Sequence, residues 1–260
     1  MPKLSANLGF LWPQLPLLER IDAAAKAGFR ACEFHHPYAV PADELRARCE
    51  RAGIKILGVN TPLGDAAKGE RGIAALVGRQ DEFAQSFDET LRYAAQAGAS
   101  AIHVMVGNVA ASERRAAREV LKGNLRAASA KALPHNIALL LEPLNPRDAP
   151  GYFYSTQAEG AAVIEELKLP NLKLQFDVYH VAIAEGDVLT KLARYMSIIG
   201  NVQIAAAPSR AEPDEGEIAY GAVLEALDRL GYAGWTGCEY KPRGDTDAGL
   251  GWLQKVGVRL

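Results

Sequence analysis

The chain has 260 residues, 49% hydrophobic and 23% charged, with a formal net charge of −2 at pH 7. That balance is ordinary for a water-soluble globular protein and gives no electrostatic ground for a nucleic-acid or membrane partner. No apolar run approaches the ~20 residues of a membrane span, and the start, Met1-Pro2-Lys3-Leu4, lacks the basic-then-apolar order of a secretory signal. Cys32, Cys49 and Cys238 are scattered without a Cys-x-x-Cys pair, so a cytoplasmic protein without disulfides or a thiolate zinc site is expected.

Eight short apolar segments, bounded by Gly, Pro or Asn, read as buried parallel strands at about 3–9, 31–34, 54–59, 101–106, 137–142, 172–177, 201–205 and 235–239. Helical patterns alternate with them. Leu17 to Ala27, Asp43 to Ala52 and Glu82 to Ala97 each stop at a glycine, Gly28, Gly53 and Gly98, which suits a left-handed C-terminal cap. Ser112 to Leu133, Thr156 to Leu167, Asp187 to Ser197 and Ala219 to Leu230 continue the series, with Ser112 and Thr156 as N-caps. A last helix is expected over about 246–256. Eight strand–helix repeats in this length predict one α/β domain over residues 1–260, a single (β/α)8 TIM barrel. The competing open doubly wound sheet lacks its Gly-x-Gly-x-x-Gly fingerprint, and no Walker-type loop is present, so no nucleotide cofactor is expected. The one long irregular stretch, 60–81, is rich in turn formers and charge, the kind of loop that often serves a site.

Four oxygen-bearing side chains fall at the ends of the last four strands: Glu142, Asp177, Gln203 and Glu239, spaced 35, 26 and 36 residues apart. A βα unit takes about 30 residues, so this is one polar residue per strand end, at the face where barrel enzymes keep their chemistry. Three converging carboxylates repel unless something relieves them. A hard divalent cation, Mg²⁺ or Mn²⁺, does so through oxygen ligands, and all four residues are candidate metal ligands. Glu142 and Glu239 can also serve as a pair of proton carriers at adjacent substrate carbons, through an enediolate. His180 and Arg210 are candidate substrate contacts, the arginine as a two-point clamp for a carboxylate. Lys241, just past Glu239, can supply a further cation. His35 and His36 fall at the same mouth, His103 inside the barrel and His135 on the surface.

Several of these residues sit in motifs that resemble hydroxypyruvate isomerase, a family within the xylose-isomerase-like barrels. The motifs are Gly69-Glu70-Arg71-Gly72, Glu142-Pro143-Leu144-Asn145, Gln175-Phe176-Asp177-Val178-Tyr179-His180, Val202-Gln203-Ile204-Ala205, Gly216-Glu217-Ile218 and Gly237-Cys238-Glu239-Tyr240-Lys241-Pro242. The likeness runs along essentially the whole chain. It implies interconversion of hydroxypyruvate and 2-hydroxy-3-oxopropanoate, with Glu142 and Glu239 as the acid/base pair and the four strand-end residues at the metal site. It also implies His180 and Arg210 as substrate contacts, with Arg71 approaching from the long loop. The chain departs from the pattern at Ala206, usually Asp, and at Ala211, usually His. Isomerisation of 2-oxo-tetronates, 3-epimerisation of ketoses and non-catalytic sugar or metal binding therefore remain as alternatives. The expected partner is a small hydroxy-oxo or sugar acid, and a homo-oligomer is compatible with the sequence.

Overall fold

The computed structural model describes residues 2–260. Eight parallel strands close into a barrel in chain order. They are β1 (Lys3–Asn7), β2 (Ala31–Glu33), β3 (Lys55–Asn60), β4 (Ala101–His103), β5 (Ala138–Leu141), β6 (Leu172–Asp177), β7 (Ile199–Ile204) and β8 (Trp235–Cys238). Closure comes from β1 pairing with β8 as well as β2, with Lys3 opposite Trp235 and Ala6 opposite Cys238. All eight predicted strands are present. The fourth stops at His103 instead of continuing to 106. There the Met105 amide turns away to the Thr61 hydroxyl (2.9 Å), which ends the ladder.

The outer ring is α1 (Leu17–Ala27), α2 (Ala42–Ala52), α3 (Gln80–Ala97), α4 (Arg114–Ala132), α5 (Gln157–Leu167), α6 (Val178–Ala184), α7 (Val188–Tyr195), α8 (Tyr220–Arg229), α9 (Thr246–Gly249) and α10 (Trp252–Lys255). Gly28, Gly53 and Gly98 end α1, α2 and α3 in the left-handed conformation, as their stop signals require. Thr156 caps α5 in a full capping box with Glu159. Ser112 does not cap α4. It lies inside a short 3₁₀ turn, Ala111–Glu113, and the α-helix starts two residues later. The expected terminal helix is broken into α9 and α10. Helix α6 has no counterpart among the predicted elements; it begins directly on Asp177 and carries Tyr179 and His180. No helix of the described residues is long and apolar enough to cross a membrane.

The three cysteines are buried and unpaired. The barrel interior is polar along part of its length. A cavity of about 140 Å³ extends from Lys55, Ser100 and Trp235 at the strand starts to Asn7, His103 and Gln203 at the strand ends. The site lies where this interior opens past the C-terminal strand ends.

Candidate active site

Glu142 follows β5, Asp177 ends β6, Gln203 stands in β7 and Glu239 follows β8. All four are at most 6% exposed. Asp177 and Gln203 are register partners on adjacent strands. The four expected residues therefore do reach one mouth, but each has a different set of neighbours.

Asp177 divides its two oxygens. Oδ1 accepts from the Tyr179 amide (2.8 Å) and so caps α6. Oδ2 is buried and has no hydrogen-bond partner. The cap fixes the first turn of α6 and thereby places His180, whose Nε2 lies 3.6 Å from Asp177 Oδ2 and 3.9 Å from Glu142 Oε1. The backbone N–H of Asn145 donates to His180 Nδ1 (3.1 Å). An Nδ1 that accepts leaves the proton of the neutral ring on Nε2. Burial, with Arg210 nearby, pulls the His180 pKa down to about 3, so the ring is neutral. His180 is thus set as a hydrogen-bond donor aimed into the mouth.

Glu142 accepts from Gln175 Nε2 (2.9 Å) through Oε2, while Oε1 is an orphan. Burial and the like charges of Glu239 and Asp177 push its pKa well up. His103, 3.4 Å away, has neither ring nitrogen hydrogen-bonded. Glu239 is held the other way. Burial opposes its charge, but the hydrogen bond and charge of His35 and the charge of Arg210 outweigh that and keep its pKa low. Its Oε2 accepts from Asn7 Nδ2 (2.9 Å), and its Oε1 from Arg210 Nη2 (2.9 Å).

Arg210 lies in the β7–α8 loop with φ +58°, a conformation that costs a non-glycine residue stability. Its main chain is tied on both sides: its amide donates to the Ala206 carbonyl (2.7 Å), and its carbonyl accepts from Lys241 (2.7 Å). The guanidinium sits against the rings of Phe10 and Tyr179, 5.2 and 4.9 Å from their centroids. From there it approaches Glu239, Asp177 and Asp148. A continuous path of charged and polar groups therefore runs Glu142–His180–Asp177–Arg210–Glu239.

The other two expected contacts are placed differently. Arg71 is exposed, and its Nη2 donates to the Asp148 carbonyl (2.7 Å). This reaches the rim of the site, since the Asp148 carboxylate faces Tyr179 and Arg210. Lys241 is exposed and joins the site through its backbone bond to Arg210. The loop 60–81 is laid along the β4–α4 connection. Gly72 forms an isolated antiparallel bridge with Val106, and a Cβ at Gly72 would stand 2.1 Å from the Met105 carbonyl oxygen.

Glu142 Oε1, Asp177 Oδ2 and Gln203 Oε1 are buried oxygens without hydrogen-bond partners. An uncompensated buried oxygen is costly, and such a donor set fits a hard divalent cation. Glu142, Asp177 and His180 also offer ligand atoms that lie within 4.8 Å of one another. The proton on His180 Nε2 makes that nitrogen a poorer ligand than the three oxygens. Gln175, His103, Asn7, Asp148 and Tyr179 also serve this mouth and were not among the expected site residues. The chain does show one signal for them: Gln175 and Asp177 share the inward face of β6 because they are two residues apart on a strand.

The Xylose isomerase-like TIM barrel family model matches residues 21–256. The chain belongs to that family. It is 47% identical to 2-oxo-tetronate isomerase of Cupriavidus necator over 98% of either chain. It is 37% identical to hydroxypyruvate isomerase of Escherichia coli, over 97% of this chain and 98% of that one. Among solved structures, one described as AP endonuclease, family 2, from Brucella melitensis superposes with a TM-score of 0.95 at 40% identity, covering 98% of both chains. This xylose isomerase-like barrel is an enzyme of the isomerase type, like the two isomerases named above.

Proposed function

We propose that this enzyme interconverts a 3-hydroxy-2-oxo acid and its 2-hydroxy-3-oxo isomer by proton transfer between adjacent carbons, with Glu142 and Glu239 as acid and base. The observation that carries the reading is their placement: two buried glutamates open into one mouth and are linked through His180, Asp177 and Arg210. Their surroundings bias them oppositely, Glu142 toward the protonated form and Glu239 toward the carboxylate. A pair driven apart in this way is suited to one acid and one base role.

One glutamate removes the proton from the hydroxyl-bearing carbon, and the electron pair enters the carbon–carbon bond of an enediolate. The other returns a proton to the former carbonyl carbon, and a hydroxyl proton passes between the two oxygens. Arg210 holds the substrate carboxylate, and the His180 Nε2–H steadies an enediolate oxygen. Phe10 and Tyr179 fix the guanidinium so that little freedom is lost on binding. Glu142, Asp177, Gln203 and Glu239 would hold a divalent cation, Mg²⁺ or Mn²⁺, with Glu239 exchanging its contact with Arg210 for it. Bound there, such an ion would supply charge stabilisation to the oxygens of the enediolate.

The favoured substrate is a 2-oxo-tetronate, on the 47% identity to an isomerase of that name. Ala206 and Ala211, both buried beside Arg210, stand where the resemblance to hydroxypyruvate isomerase implies a carboxylate and an imidazole. Hydroxypyruvate is the second reading, on the 37% identity to the other relative. A comparison of kcat/KM for the two acids, with solvent deuterium incorporation at the transferred position, tests the assignment. Turnover of neither, with metal supplied, overturns it.

A further inference from the structure

Glu33 is a carboxylate buried inside the barrel, at the end of β2, and no motif singles it out. Its Oε2 accepts from Gln203 Nε2 at 2.7 Å, and its Oε1 accepts from the Ser5 hydroxyl at 3.0 Å. Room for it is made by Gly237 of β8: a Cβ there would stand 2.4 Å from Glu33 Oε1. Gly237 is the register partner of Gln203, so the glycine gap and the glutamine face the same acid.

A carboxamide is planar, with its nitrogen and oxygen on opposite sides. Both Glu33 oxygens accept, one from Ser5 and one from the Gln203 nitrogen, so the Gln203 oxygen is turned the other way. That oxygen is buried and has no hydrogen-bond partner. With the amide flipped, a nitrogen would take its place and present protons to a cation.

We propose that Glu33 is a positioning residue that locks the Gln203 amide with Oε1 toward the strand-end mouth, as a ligand for the divalent cation of the reaction assigned above. The inference rests on the metal reading of the site. Partners that orient a ligand from behind typically change metal affinity 10–100-fold when lost. Glu33 reaches the mouth only through Gln203, and so acts on the chemistry indirectly.

The test is calorimetric titration of Mn²⁺ into metal-free wild-type protein, E33Q, E33M and Q203M, each checked for native circular dichroism. E33M removes the acceptor at similar volume and is expected to weaken Mn²⁺ binding about 10–100-fold, close to the loss in Q203M. E33Q keeps an acceptor oxygen for the Gln203 nitrogen and is expected to restore most of the affinity, which a filler of barrel space would not do. Wild-type protein that binds Mn²⁺ while E33M binds it equally tightly overturns the inference alone. Wild-type protein that takes up no Mn²⁺ overturns the metal reading and the inference with it. Should E33M fail to fold, crystals of wild-type protein with Mn²⁺ decide the matter. The ion is expected within about 2.0–2.6 Å of the Gln203 amide atom that faces away from Glu33. An ion held without Gln203 overturns the proposal.

Discussion

Arg210 Nη2 lies 2.9 Å from Glu239 Oε1 and 3.7 Å from Asp177 Oδ2, so one guanidinium bridges the ends of β6 and β8. The bridge is part-buried, set against the rings of Phe10 and Tyr179, and built on a left-handed backbone. It makes Arg210 sensitive even to conservative change. Lysine cannot reproduce a planar fork set against two rings. Arg210→Lys is expected to lower kcat/KM by about 10–100-fold, the equivalent of ~1.5–3 kcal/mol for a charged hydrogen bond. Steady-state kinetics checks this, and an unchanged kcat/KM removes Arg210 from substrate binding.

Glu142→Gln and Glu239→Gln keep shape and remove the proton carrier. Each is expected to cut kcat by about 10²–10⁴. Solvent deuterium incorporation should fall in step with turnover. Two variants that turn over and exchange like wild type would falsify the acid/base pair.

Asp177 variants separate the cap from the site. Asparagine caps a helix about as well as aspartate, whereas alanine costs ~1 kcal/mol at such a position. Asp177→Ala is therefore expected to melt lower than Asp177→Asn, while both lose activity. Equal melting temperatures would remove the capping role from the Oδ1–Tyr179 contact.

His103 ties stability to acid. Burial lowers its pKa from 6.5 to about 3, so between those values the unfolded chain binds a proton that the folded chain refuses. Its contribution is fully present above the unfolded value and is lost as pH falls toward 3, with a slope up to ~1.4 kcal/mol per pH unit. Denaturant titrations from pH 7 to 4 on metal-free wild-type protein and His103→Asn check this. The variant should show a shallower decline, and identical slopes sink the assignment.

Metal removal tests the three orphan oxygens. Exhaustive chelation is expected to abolish turnover and leave the barrel folded, and Mn²⁺ or Mg²⁺ should restore it. Full activity in the chelated protein would show that the four strand-end residues act on the substrate without an ion.

The barrel was legible because buried parallel strands are short, apolar and punctuated, and eight of them in 260 residues leave little other choice. The strand-end acids were legible through their even spacing. Helix α6 was not, because seven residues hold too few turns to show a period, and its start depends on the side chain of Asp177. The partners of those acids were hidden for a related reason. Glu33 reads as one acid in Ala31-Cys32-Glu33-Phe34, and its burial depends on the missing side chain of Gly237, which becomes a neighbour only after β1 meets β8. The pairing of Arg210 with Glu239 likewise depends on backbone bonds between two loops.

The long loop 60–81 meets the barrel main chain to main chain at Gly72, whose Cα rests on the Met105 carbonyl. A seam made of backbone is indifferent to most side chains along it. The exposed positions of the loop, such as Ala67 and Lys68, are therefore free to change charge and composition, while Thr61, Ile73, Ala74 and Ala75 stay buried against the barrel. At position 72, even the smallest methyl group would pry the loop from the barrel and draw Arg71 away from the rim.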